Sequence, residues 1–239
     1  MIKNSINYWA SGIVPVIRGT NLVSNASWCH TDNVENFNKN PNKDKWKDID
    51  ITYKFNKQQF RTHDLPSLFG QKVDVALGCS FTLGVGLADH MTWPASIEKQ
   101  SKFPMLNLGV GGGSTDTVAR VLTNIGPLYD IQTVYILWPQ LGRFERYTSL
   151  GTIECMVPNR DSVKIEYVWN MEATAANQRF FKNQSIVHNL AKLHRFSVIE
   201  TFADNVLVLD WARDGVHPGP RTNALIANKF MNEQNTVDR

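Results

Sequence analysis

Cysteine is scarce in this chain: Cys29, Cys79 and Cys155 are the only three in 239 residues. They are too few and too scattered for a disulfide framework or a Cys-x-x-Cys zinc site, and they read as reduced thiols. A surplus of one charge is missing as well. Lys plus Arg is 25 and Asp plus Glu is 22, a formal net charge of +3, which is no electrostatic footprint for nucleic acid. No run approaches the ~18 apolar residues of a membrane span. The start, Met1 to Trp9, has one charge and no continuous apolar block, so it reads as a poor signal peptide. These absences together lead us to expect a cytoplasmic protein with no nucleic-acid partner and no membrane span. The sequons Asn25-Ala26-Ser27 and Asn183-Gln184-Ser185 carry little weight in that setting. Internal repeats and low-complexity tracts are also absent.

What is present suits one large globular domain or two small ones, with 42% hydrophobic and 20% charged residues. The composition changes near residue 70. Residues 24–64 are rich in Asn, Lys and Asp and read as irregular surface structure. Within them, Ile49 to Phe55 alternates apolar with polar, as a half-buried strand would. We therefore expect residues 1–70 to form an N-terminal extension packed on a main domain over 71–235.

From residue 72 short apolar runs recur: Val73–Gly78, Phe103–Gly109, Thr133–Trp138, Ser197–Glu200 and Val206–Asp210. Such runs are typical of parallel strands buried on both faces. Helical patterns separate them. Thr92-Trp93-Pro94 opens one with an N-cap and an early proline. Ser114 to Leu128 places Val118, Val121, Leu122 and Ile125 on one face. Residues 171–195 and 221–232 supply two more. Strands alternating with helices predict an α/β fold with a parallel sheet between helical layers, and sites in such sheets form at the carboxyl ends of the strands.

The segments after those strands carry the candidate chemistry. Ser80 follows the first, in Gly78-Cys79-Ser80-Phe81-Thr82-Leu83-Gly84. Gly109, Gly111, Gly112 and Gly113 follow the second, and Asp214-Gly215-Val216-His217-Pro218 lies near the C-terminus. A serine hydroxyl needs a base, an imidazole can be one, and a carboxylate three residues away can fix the ring's tautomer. Glycine backbone can approach a ligand and offer N–H groups to an oxyanion. Each part alone is commonplace. Gly-x-Ser is usually a turn, Asp-x-x-His often caps a loop, and the glycines fit neither GxGxxG nor a phosphate loop. Their order along the chain is the specific signal.

In that order the chain resembles the SGNH, or GDSL-like, hydrolases over roughly residues 50–230. Gly78–Gly84 is similar to the family's first block, Asn107-Leu108-Gly109-Val110-Gly111-Gly112 to its second, and Asp214–Pro218 to its last. A weaker likeness in Tyr53–Arg61 and Thr92–Pro94 points to a subgroup with an N-terminal extension. The resemblance implies a three-layer α/β/α fold with a five-stranded parallel sheet of flavodoxin-like type. It implies a metal-independent serine esterase or acyl hydrolase without a cofactor, acting on an O-acylated glycan or a small acyl ester. Ser80 would be nucleophile, His217 base and Asp214 its orienting acid, with oxyanion donors from the Ser80 and Gly112 amides. The same parts could serve O-acyl transfer, and a non-catalytic binding module is the rival of another class.

Two positions depart from the pattern. Cys79 stands where the family has Asp, and its expected role is a small buried thiol. The third block's Asn donor is absent. Gln140, in Trp138-Pro139-Gln140-Leu141, falls at that position, and its amide could donate to the oxyanion. Arg143, Glu145 and Arg146 could bind an anion, although an exposed ion-pair set is the commoner meaning. Trp138 and Trp211 could stack on a sugar, against a core role for a tryptophan that ends a buried strand. His188 and His194 are six apart, which argues against a shared metal. His30, His63 and His90 have no partner identifiable in the sequence.

Overall fold

The structure is a computed structural model that describes residues 25–147, 153–156 and 172–237. At its centre is a four-stranded parallel sheet of β1 (Lys72–Gly78), β2 (Met105–Asn107), β3 (Asp130–Trp138) and β6 (Ser197–Phe202), in the order β2-β1-β3-β6. Its registers run through apolar positions, with Val75 opposite Leu106 and Val134, and Val134 opposite Val198. Helices cover both faces, as such doubly buried strands require. On one face α4 (Thr115–Ile125) and α5 (Ala173–His194) meet Val75, Leu77, Ile136 and Trp138. On the other, α3 (Trp93–Glu98) and α6 (Pro220–Val237) meet Ala76, Tyr135, Leu137 and Ile199 through Trp93, Ile97, Ile226 and Phe230. The α/β class expected from the alternating pattern is therefore the observed one.

Local signals set the helix starts. Thr92 accepts from the Ala95 amide, with Pro94 in the first turn of α3. Ser114 and Thr117 cap α4 reciprocally. The face Val118, Val121, Leu122 and Ile125 is buried as its spacing predicts. On α5, however, Phe181 and Leu193 point to solvent, so only part of that helix's apolar set belongs to the core.

The expected fifth strand is not formed. Val206 to Asp210 has no ladder partner among the described residues, and Leu207, Val208 and Leu209 are exposed. The start of α6 takes this segment instead. Thr222 Oγ1 accepts from the Leu209 and Asp210 amides, while the Asp210 carboxylate accepts from the amides of Arg221 and Thr222. Asp210 thus serves the first turn of the helix, and that commitment removes the run from the sheet edge. A two-stranded antiparallel sheet, β4 (Phe144–Tyr147) with β5 (Ile153–Met156), was not legible in the sequence. It is held on α4 by Arg120, which pairs bidentately with Glu145 at 2.7 and 2.8 Å.

The segment before β1, which includes the short helix α1 (Val34–Lys39), has its own core. Cys29, Trp46, Ile51, Tyr53 and Phe55 pack with Leu83, Val85, Leu87 and Ala212 of the main α/β unit. Burial alternates along Ile51, Tyr53 and Phe55 as expected, but among the described residues a single bridge, Ala26 with Tyr53, replaces the predicted strand. Asp32 is the polar centre of this contact. It is fully buried and accepts from Tyr53 Oη at 2.5 Å and from Arg213 Nε and Nη2 at 3.0 and 2.7 Å. Arg213 also lies 4.0 Å over the Trp28 ring.

Candidate active site

Ser80 opens α2 (Ser80–Leu83), directly beyond the carboxyl end of β1. The turn needs glycine at 78. Its φ is +154°, and a Cβ there would collide with Thr82 and stand 2.6 Å from the Leu137 carbonyl oxygen. The loop after β2 closes on the same place. The Val110 amide donates to the Gly78 carbonyl at 3.1 Å, and Gly112 takes φ +71°. No acceptor among the described residues takes the Gly112 amide.

Asp214 and His217 come from the loop between Asp210 and α6. Their three-residue spacing lets one carboxylate do two things. Asp214 Oδ1 accepts from the Val216 and His217 amides, each at 3.0 Å, which folds the loop. Oδ2 is 2.6 Å from His217 Nδ1. The opposite ring nitrogen, Nε2, is 2.8 Å from Ser80 Oγ. All three residues are buried. Gly215, at φ +67°, supplies the left-handed step. Burial alone would raise the Asp214 pKa. The hydrogen bonds from His217, its charge and the two loop amides outweigh burial and hold the carboxyl below its ordinary range. The Phe81 ring stands edge-on to His217, centroids 5.8 Å apart. The structure thus brings Ser80, His217 and Asp214 into one hydrogen-bonded chain.

It does not bring every candidate there. Trp138 is wholly buried, with its ring edge-to-face on Phe180 and Nε1 donating to Glu200 at 2.8 Å. It is core, and it cannot stack on a substrate. Gln140 is exposed in the turn after β3. Its Oε1 accepts from Arg143 Nη2 at 3.2 Å, and no hydrogen bond joins it to Ser80 or His217 among the described residues. Of the Arg143, Glu145 and Arg146 set, the Glu145 side chain is buried and paired with Arg120 of α4 at 2.7 Å, while Arg143 Nη2 donates to Gln140. Trp211 is half-exposed beside the loop, bridged to Pro218, and Val216 is exposed next to His217. Cys79 is buried and unpaired. Among the described residues no group of three or more His, Cys, Asp or Glu could hold a metal ion. A cavity of about 510 Å³ lies elsewhere, between the N-terminal segment and α3, lined by Lys54, Arg61, His63, Asp89 and Glu98 among others.

Two residues at the site were not identified in the sequence. Cys29 and Asp32 pair through both backbone groups, leaving His30 and Thr31 as a two-residue turn. Thr31 Oγ1 donates to Asp214 Oδ2 at 2.7 Å and lies 3.2 Å from His217 Nδ1. Thr31 therefore acts as a clamp on the carboxylate. If the clamp orients the imidazole, Thr31→Val lowers kcat about three- to tenfold with little change in KM, and Thr31→Ser restores it. Steady-state kinetics on one ester with the three proteins decides this; equal kcat in all three would refute the clamp.

His30 packs against the second glycine loop. A Cβ on Gly111 would stand 2.5 Å from His30 Nε2. Burial, with a smaller contribution from His217, lowers the His30 pKa from 6.5 to about 4. The unfolded chain therefore binds a proton between these values that the folded chain does not. The His30 contribution is complete above about pH 6.5 and is lost as pH falls towards 4. The loss is up to about 1.4 kcal/mol per pH unit and about 3 kcal/mol in all. Urea midpoints at pH 7, 5.5 and 4.5 should fall more steeply for wild type than for His30→Asn. Parallel curves would contradict the shift.

No family model and no curated protein matches the chain. Among solved structures it is similar to a protein assigned to the G-D-S-L lipolytic family from Desulfitobacterium hafniense DCB-2, with 17% identity over 66% of this chain and 95% of that one and a TM-score of 0.31. It is similar to the psychrotrophic esterase EstA from Pseudoalteromonas sp., at 13% identity over 70% and 99% of the two chains, TM-score 0.37. It is also similar to Est24, a carbohydrate acetylesterase from Sinorhizobium meliloti, at 11% identity over 70% and 100%, TM-score 0.37. The structural neighbours are thus GDSL-like lipases and esterases at low identity.

Proposed function

We propose that the protein is a serine esterase that cleaves a small or glycan-borne ester through Ser80, His217 and Asp214. One observation carries this reading: the unbroken chain Asp214 Oδ2–His217 Nδ1–His217 Nε2–Ser80 Oγ, at 2.6 and 2.8 Å, at the carboxyl end of β1. A binding module has no need of a buried carboxylate, a fixed imidazole tautomer and a serine aligned in one path.

In the proposed reaction Ser80 Oγ attacks the acyl carbon and its proton passes to His217 Nε2. The carbonyl electron pair moves onto oxygen, beside the Ser80 and Gly112 amides. Asp214, below its ordinary carboxyl range, stays ionised and steadies the imidazolium. The intermediate collapses, the alkoxide leaves with the proton from Nε2, and water repeats the sequence to free the acid and Ser80. Hydrolysis of para-nitrophenyl acetate, followed for wild type and Ser80→Ala, tests the reading. Turnover that the substitution leaves unchanged would remove Ser80 from it, and no turnover of any short ester by wild type would favour a binding role.

A further inference from the structure

The nucleophile stands on very little helix. α2 is a single turn, Ser80–Leu83, and a helix that short is not stable by itself in water. Its hydrogen bonds fix the peptide groups on either side of the Ser80 Cα. The Cys79 carbonyl, before it, accepts from the Thr82 and Leu83 amides, each at 3.0 Å. The Ser80 carbonyl, after it, accepts from the Gly84 amide at 3.0 Å and the Val85 amide at 3.2 Å. These two peptide groups set the direction in which the Cα presents Oγ to His217.

The donors that hold the Ser80 carbonyl are themselves held. The Gly84 amide shares a peptide group with the Leu83 carbonyl, and the Val85 amide shares one with the Gly84 carbonyl. Both carbonyls accept from Arg61 Nη1, at 3.4 and 2.8 Å. A cation that donates to a carbonyl polarises the peptide group and strengthens the bond its N–H makes. Arg61 Nη2 fastens the next stretch of chain at the Leu87 carbonyl, 2.9 Å away. Asn107 Nδ2 serves the Cys79 side in the same way: it donates at 3.0 Å to the Thr82 carbonyl, whose peptide group carries the Leu83 amide. Ion pairing does not explain why Arg61 is buried. Its partner Asp89 is largely exposed, 3.6 Å from Nε, and Nε has no hydrogen-bond partner. The carbonyls of α2 and the following loop, with the Tyr53 ring 4.6 Å from the guanidinium carbon, are what hold it.

We propose that Arg61 is a positioning residue for Ser80. Its guanidinium, acting through the Leu83–Gly84 and Gly84–Val85 peptide groups, fixes the backbone that aims Ser80 Oγ at His217 Nε2. The proposal rests on the esterase reading above and adds to it a residue of the N-terminal segment. Thr31 of the same segment clamps Asp214, so the segment before β1 steadies both ends of the triad. No bond to Arg61 forms or breaks in the reaction. Lysine keeps the charge but not the fork that reaches these carbonyls together.

The test compares wild type, Arg61→Lys, Arg61→Met and Ser80→Ala with Val187→Ala, a buried core substitution on α5 that leaves every Arg61 contact in place. For each protein kcat and KM on para-nitrophenyl acetate, the rate of Ser80 labelling by a fluorophosphonate, and the thermal midpoint are measured, the kinetics at 15 °C. Small misplacements of a reacting group cost up to about 10²-fold. Arg61→Lys should therefore lose about tenfold and Arg61→Met about 10²-fold in kcat and in labelling rate alike, with KM within about twofold of wild type. Val187→Ala should melt lower than wild type and keep kcat within about twofold. Wild-type kcat and labelling in Arg61→Met would overturn the proposal. So would a loss confined to KM, or a loss of activity in Val187→Ala that follows its midpoint as the Arg61 variants follow theirs. If Arg61→Met does not fold, Arg61→Lys decides alone, and full kcat in it refutes the role. Wild type that turns over and labels while the folded Arg61 variants match it sinks this proposal and leaves the esterase reading. Wild type no faster than Ser80→Ala, and unlabelled, takes both down together.

Discussion

With Ser80 replaced by alanine, turnover of a short para-nitrophenyl ester should fall on the order of 10⁴- to 10⁶-fold, close to the rate without enzyme. The size follows from the role. Among the described residues the Ser80 hydroxyl is the one hydrogen-bond partner of His217 Nε2, at 2.8 Å, and without Oγ no acyl-enzyme forms. The folded state should barely notice the change, because Ser80 contributes one hydrogen bond and little apolar area. A thermal midpoint within about 2 °C of wild type, together with the lost turnover, would separate chemistry from stability. His217→Ala and the double variant should be no worse than Ser80→Ala alone, since the three residues act as one unit. Losses that multiply across the two substitutions would mean that Ser80 and His217 serve separate steps.

The second large effect falls on stability. Replacing Asp32 by alanine leaves the Arg213 guanidinium buried without its carboxylate and strips Tyr53 of its acceptor. Breaking a buried pair in this way costs about 3–5 kcal/mol, or roughly 6–20 °C in midpoint for a chain of this size. The Tyr53 hydroxyl stays protonated throughout, because burial and the neighbouring Asp32 push its pKa well above 10. Asp32 also closes the turn that carries His30 and Thr31, so activity should fall further than the midpoint alone would explain. Calorimetry beside kinetics at 15 °C, below any melting, checks both parts. A midpoint within 2 °C of wild type would show that the apolar contacts of Trp46, Ile51 and Tyr53 hold the N-terminal segment without the ion pair.

The main sheet was legible because β1 and β3 are buried on both faces and so read as continuous apolar runs, while β6 at the edge is buried only at alternate positions. Val206 to Leu209 reads as a continuous run too, yet its fate was decided by Asp210 and Thr222, which attach it to α6. Composition records the apolar run but not that competition. The serine, imidazole and carboxylate were legible because their geometry is local: a strand-end turn at Gly78 and a three-residue loop at Asp214. His30 and Thr31 were not, because they meet Asp214 and Gly111 from the far end of the sequence, out of an Asn-rich stretch that looks like plain surface. The signal that could have flagged them is the charged and aromatic set Asp32, Tyr53, Arg61 and Arg213, which surface loops have no reason to bury. Trp138 ends a buried strand, which favours core over stacking, and the core does claim it through Phe180 and Glu200.

The central claim is that Ser80 is an activated nucleophile, and covalent trapping tests it most directly. The protein is treated with a fluorophosphonate, digested and mapped by mass spectrometry, with His217→Ala and heat-unfolded wild type as controls. The account predicts a single adduct on the peptide containing Ser80, formed in folded wild type and lost in both controls. An adduct at another serine, or none on a protein that still turns over esters, would contradict it.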